Sequence, residues 1–124
     1  MNSSETLLMR QVDTDVVPGA PWYVVHTRPK KELMAASLLE TDPGLEAFLP
    51  EVIRQQKAGK KQLPLFPGYL FVRPETGVLA VSKINTTPGV VRLLCFDQQP
   101  QSVPADVIER LRTKIATVND QGGL

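Results

Sequence analysis

The octapeptide Leu65-Phe66-Pro67-Gly68-Tyr69-Leu70-Phe71-Val72 constrains the fold of this 124-residue chain more than any other stretch, because three of its six Phe and Tyr residues fall there. A half-buried strand alternates apolar and polar side chains. Here the only polar group on either face is the Tyr69 hydroxyl, so both faces are covered. Two explanations stay open: a central strand between the core and a helix, or a strand with one face on the core and the other, near Phe66, Pro67 and Tyr69, against a partner protein. Pro67 cannot donate to a ladder and Gly68 permits a turn or bulge. The strand is therefore predicted to begin at Tyr69, with Phe66 on a bend at the sheet's rim. Leu70 and Val72 then face the core, and Tyr69 and Phe71 the opposite side.

The rest of the chain supplies a sheet for this strand to join. Residues 1–20 carry no sustained period and read as a leader closed by Pro18-Gly19-Ala20-Pro21. Trp22-Tyr23-Val24-Val25-His26-Thr27 is aromatic and β-branched, a strand signal. Pro29 suits the first turn of a helix to about Thr41, with Met34, Ala35, Leu38 and Leu39 on one arc and Lys30, Ser37 and Glu40 opposite. Asp42-Pro43-Gly44 ends it. Leu45 to Leu49 is a short strand, and Val52 to Lys57 turns at Ala58-Gly59 into a hairpin with a basic tip. Thr76 is placed to cap a helix to about Asn85, with Val78, Val81 and Ile84 on one side. Val90 to Phe96 reads as an interior strand. A last helix from Pro104 carries Val107, Leu111, Ile115 and Val118 on one stripe.

The order is β-α-β-β-α-β plus a C-terminal helix. That is an α+β, ferredoxin-like (split β-α-β) antiparallel sheet with helices packed on one face. Such a fold decides no function by itself.

Composition narrows the function classes. With 42% apolar and 22% charged residues the chain is globular, and one cysteine, Cys95, excludes an intramolecular disulfide and suits a reducing cytoplasm. No apolar run approaches the roughly 20 residues that cross a bilayer. A net charge of +1 argues against gripping nucleic acid by bulk electrostatics, although Arg28, Lys30 and Lys31 cluster, as do Arg54, Lys57, Lys60 and Lys61. The chain has one histidine, one cysteine, no glycine-rich phosphate loop and no metal-ligand spacing, so it is read as a non-enzyme without metal or cofactor.

Trp22-Tyr23-Val24-Val25, the basic turn into the first helix, the hairpin leading to Leu65–Val72, Ile84-Asn85-Thr86-Thr87-Pro88-Gly89-Val90 and Val103-Pro104 together resemble the N-terminal domain of the NusG family of transcription elongation factors. The resemblance covers about residues 21–118. The short path through the hairpin and the Ile84-Asn85-Thr86-Thr87 segment look more like the specialised RfaH-type paralogues than housekeeping NusG. It implies that residues 119–124 begin a linker and that the family's small β-barrel KOW domain lies outside these residues.

What the resemblance implies is a cytoplasmic, monomeric elongation and antitermination factor without membrane contact. Its partner would be bacterial RNA polymerase. Phe66, Pro67, Tyr69 and Phe71, joined by Ile84, would receive the β′ clamp helices. Arg28, Lys30, Lys31 and His26 would face upstream or non-template DNA. Ala80, Val81, Ser82 and Lys83 align with a His-Thr-Thr-Thr run that touches the β gate loop in the paralogue, and only Ser82 keeps a hydroxyl. The residues alone also admit plainer readings. Arg28, Lys30 and Lys31 fit a solvated helix turn, and the hairpin lysines fit a soluble edge that discourages strand addition. His26 fits a partly buried structural site, and Cys95 and Trp22 fit the core. A binding-module alternative is an RRM-like domain that stacks single-stranded RNA on Tyr69 and Phe71.

Overall fold

Strand β1 (Trp22–Thr27) is the spine of the sheet, because three other strands pair with it. The computed structural model describes residues 19–124, so all but the last two residues of the expected leader lie outside the described residues. After β1 come α1 (Glu32–Leu39), β2 (Leu45–Phe48), β3 (Glu51–Gln56), β4 (Gly59–Pro64), β5 (Tyr69–Pro74), α2 (Val81–Asn85), β6 (Val90–Leu93), β7 (Cys95–Phe96), β8 (Gln99–Pro100), β9 (Ser102–Val103) and α3 (Ala105–Asp120). The five-stranded sheet runs β9, β1, β5, β2, with β6 also on β1, and every pair is antiparallel. This is the α+β, ferredoxin-like arrangement that the element order predicts. Strand β5 begins at Tyr69, and its register sets Tyr69 opposite His26 and Val72 opposite Tyr23.

Alternation divides the side chains of β1 and β5 between two cores. Leu70, Val72 and Val25 face α1 and α2, where they join Ala35, Ala36, Leu39 and Ile84. Trp22 and Phe71 face the other way, under Ile108 of α3, with Phe48 and Leu111 beside them. Trp22 is fully buried, as expected. The Arg73 guanidinium lies 4.6 Å from its ring centroid and that of Arg112 5.3 Å. Glu46 ties both arginines, at 2.9 Å to Arg73 and 3.6 Å to Arg112, so the ion pairs fasten α3 to the sheet. Strands β3 and β4 form a separate basic-tipped hairpin, as the sequence suggests.

Several expectations are corrected. Helix α1 starts at Glu32, because Lys30 adopts φ +63, which no helix tolerates. Arg28 and Lys30 therefore occupy a turn before the helix, and Lys31 is its N-cap. The buried face of α1 is Glu32, Ala35, Ala36 and Leu39, while Met34 and Leu38 are exposed. Thr76 accepts a hydrogen bond from the Val78 amide and Gly77 turns to φ +81, so α2 is one short turn and Val78 is exposed. The strand at Val90 stops at Leu93. Asp97 and Gln98, at φ +53 and +64, close a two-residue hairpin between β7 and β8, which leaves Cys95 and Phe96 in solvent rather than in a core. The buried contact of α3 comes from Ile108, whereas Val107 is exposed. Residues 119 and 120 lie in α3, and the Leu124 amide donates to the Ile53 carbonyl at 2.8 Å.

Candidate protein-docking and cationic surface

The sheet face under α3 is covered at one end only. A row of aromatics leads from the covered end into the open: Trp22 meets Phe48 at 6.1 Å, Phe48 meets Phe71 at 6.2 Å, and Phe71 meets Phe66 edge-on at 6.3 Å. Its last step leaves the core, from Phe71 at 9% exposure to Phe66 at 41%. Tyr69 is 38% exposed and stacks on His26, with ring centroids 5.1 Å apart and planes inclined by 21°. Phe66, Pro67 and Tyr69 thus form an aromatic shelf, with Phe71 packed against Phe66 and His26 against Tyr69. A single side chain standing alone would lose rotamer freedom on docking, and this bracing removes part of that loss beforehand.

Phe71 belongs mostly to the core and supports the shelf rather than forming it. Ile84 is not brought to it at all: the residue is 2% exposed and packs in the other core, beneath α2. A side chain so buried offers no surface to a partner, so the shelf excludes it.

Arg28, Lys30 and Lys31 are exposed, in the turn that follows β1 directly, and His26 is half-buried two residues before it. The turn is fixed by its backbone, since the Arg28 amide donates to the Gly89 carbonyl at 2.9 Å and the Lys31 amide to the Arg28 carbonyl at 3.1 Å. A left-handed lysine costs about 1 kcal/mol, and such strain persists only where the surroundings impose it. Arg92 lies opposite His26 in the β1–β6 register and is exposed, which extends the cationic side of the shelf. An interior strand over 90–96, as the apolar content suggests, leaves Arg92 without a role at the surface. Its charge between Val91 and Leu93 is the signal that could have found it.

Ala80, Val81, Ser82 and Lys83 are exposed at the start of α2. The Lys83 ammonium reaches Asp42 at 3.2 Å. The Gly44 amide, 2.9 Å from Asp42 Oδ1, and then Lys83 hold the Asp42 carboxyl below the usual carboxylate range. A cleft of about 550 Å³ opens beside this pair, lined by Leu38, Pro43, Val78, Ile84 and Pro88 among others. Among the described residues, no three His, Cys, Asp or Glu side chains converge on a metal position, and no helix is long and apolar enough to cross a membrane.

The domain is thus an antiparallel α+β sheet that carries exposed aromatics on one face and a cationic turn at its edge. The family model described as transcription termination factor NusG matches residues 20–112, and the chain belongs to the NusG family, of which it represents the N-terminal domain. A relative from Thermus thermophilus, the transcription termination/antitermination protein NusG, is 28% identical over 108 residues, covering 73% of this chain. The chain spans 59% of that relative's length.

Proposed function

We propose that this domain acts in transcription elongation by docking Phe66, Pro67 and Tyr69, supported by Phe71, on the β′ clamp helices of RNA polymerase. The observation that carries this reading is the braced pair of exposed aromatics, Phe66 and Tyr69. A coiled-coil tip presents apolar side chains at helical spacing, and an aromatic shelf is a suitable receiver. Covering the exposed two-fifths of each ring is worth about 1 kcal/mol, so neighbouring side chains at the rim must add to the affinity.

Arg28, Lys30, Lys31 and His26 then face upstream or non-template DNA. If three phosphates are neutralised, the salt slope on single strands is only about −2, which is weak binding in isolation. Docking on the polymerase raises the effective DNA concentration to about millimolar, where such contacts count. The protein contact anchors and the DNA contact orients. By binding the closed clamp better than the open one, the domain favours processive elongation.

The resemblance of the Ile84-Asn85-Thr86-Thr87 segment favours a specialised, RfaH-type antitermination role, whereas Ala80, Val81, Ser82 and Lys83 are exposed but keep a single hydroxyl, which speaks against a gate-loop contact of the paralogue's kind. We take the working form as a cytoplasmic monomer. Co-purification of core RNA polymerase with Phe66→Ala and Tyr69→Ala variants tests the anchor. Both should lose the polymerase while keeping a wild-type melting profile, and undiminished recovery in both contradicts the assignment.

A further inference from the structure

The turn that carries the shelf is held by a carboxylate from another element. Gly68 stands at φ +88, a conformation that side-chain-bearing residues rarely adopt, and both of its backbone polar groups are engaged. Its amide donates to Glu32 Oε2 at 2.8 Å, and its carbonyl accepts from the Thr27 amide at 2.8 Å. Glu32 is 7% exposed. Among the described residues no Lys, Arg or His lies within ion-pair distance of it. A carboxylate taken this far from water needs strong donors, and the hydrogen bond to Gly68 is the one the described structure gives it.

Glu32 opens α1, where an acidic side chain ordinarily serves the free amides of its own helix. It reaches instead to a residue 36 positions along the chain. The Tyr69 amide donates to the Phe66 carbonyl at 3.0 Å, so the turn closes on itself and Gly68 is its point of attachment. From these contacts we infer that Glu32 is a positioning residue for the docking shelf: by fixing the Gly68 amide it sets the directions in which Phe66 and Tyr69 project. Because Glu32 follows the cationic turn directly, the same hydrogen bond joins that turn and the shelf into one rigid unit. The functional half of the inference rests on the polymerase-docking reading, whereas the structural half does not.

Glutamine keeps a carbonyl acceptor at this position and alanine removes it. Glu32→Ala should fold, exchange its Gly68 amide hydrogen faster than wild type, and bind core RNA polymerase at least about tenfold more weakly. Glu32→Gln should restore both Gly68 protection and binding to within about twofold. In wild-type protein a through-hydrogen-bond scalar coupling should link the Gly68 amide nitrogen to the Glu32 carboxyl carbon. If that coupling is missing and the Gly68 amide exchanges freely, the inference is overturned whatever the variants do, including the case in which Glu32→Ala fails to fold. It is equally overturned if Glu32→Ala binds polymerase like wild type while Phe66→Ala has lost binding, or if Glu32→Gln is as weak as Glu32→Ala. Wild-type binding by Phe66→Ala would instead sink the docking reading and leave the Gly68 measurements standing.

Discussion

Asn119, one residue from the end of α3, clasps the outer edge of β3 as a neighbouring strand would: its Oδ1 accepts from the Ile53 amide at 3.0 Å and its Nδ2 donates to the Glu51 carbonyl at 3.2 Å. The chain then turns back, so that a Cβ at Gly123, which has φ +96, would collide with the Ile53 carbonyl group. The separate β3–β4 hairpin is fixed to the rest of the domain largely through this contact. Asn119→Ala should cost about 1–2 kcal/mol, because two backbone groups lose their partner. Gly123→Ala should cost more, about 2–3 kcal/mol, since the backbone of β3 must move. Chemical denaturation gives the magnitudes. Amide exchange should show Ile53 losing protection while Val25 and Leu70 keep theirs.

Asn85 plays the corresponding part at β6, where its Oδ1 accepts from the Leu93 amide at 2.7 Å. An edge strand with free amides invites pairing with another chain, and this side chain fills one of them. Asn85→Ala should lower stability by about 1–2 kcal/mol and raise the tendency to self-associate at high concentration. Denaturation and sedimentation velocity measure the two effects.

The Thr27 hydroxyl is buried, the residue being 1% exposed, and has no hydrogen-bond partner among the described residues. Leaving such a group unpaired costs free energy that an isosteric methyl does not. Thr27→Val should therefore raise stability by about 0.5–1 kcal/mol, read as an increase in the denaturation midpoint at unchanged slope. A lower midpoint would mean that the hydroxyl finds a partner in solution.

The Asp42 carboxyl is held below its ordinary value of 3.8 by the Gly44 amide and then by Lys83, so the folded chain binds its proton less readily than the unfolded chain. Its stabilising contribution is present above that ordinary value and is lost as pH falls through the lower folded value. Asp42→Asn should lower the melting temperature slightly above about pH 4 and converge with wild type below it, so that the variant's acid slope is flatter. Because the Asp42–Lys83 pair is partly exposed and screened by water, the effect is small and is best seen at low ionic strength. Melting temperatures of wild type and variant across that range provide the comparison.

What the sequence made legible is what period and local chemistry control. Leu70 and Val72 alternate onto the α1 core, Tyr69 opens its strand after Pro67 and Gly68, and Trp22 is buried, each as the local pattern predicts. What it concealed depends on contacts between distant residues or on unmarked backbone turns. Phe71 reads as a surface ring until α3 folds back and Ile108 covers that end of the sheet. Ile84 shares a helical arc with Val78 and Val81, yet the helix begins only at Val81, so Val78 lies outside it and, of the three, Ile84 alone is buried. Lys30, Asp97 and Gln98 take positive φ without the glycine that would announce it, which shortened α1 and carried Cys95 and Phe96 into solvent. The hydrogen bond from Gly68 to Glu32 leaves no trace in spacing, because the two residues meet only through the packing of α1 on the sheet.

In the proposed complex Phe66 marks the surface that meets the polymerase clamp. A photoreactive phenylalanine analogue placed at position 66, with a second at buried position 84 as the control, tests it in assembled elongation complexes. Position 66 should crosslink to the β′ clamp helices and position 84 should not. Crosslinking from position 66 to any other subunit, or to none, while the protein remains bound to polymerase would contradict that placement.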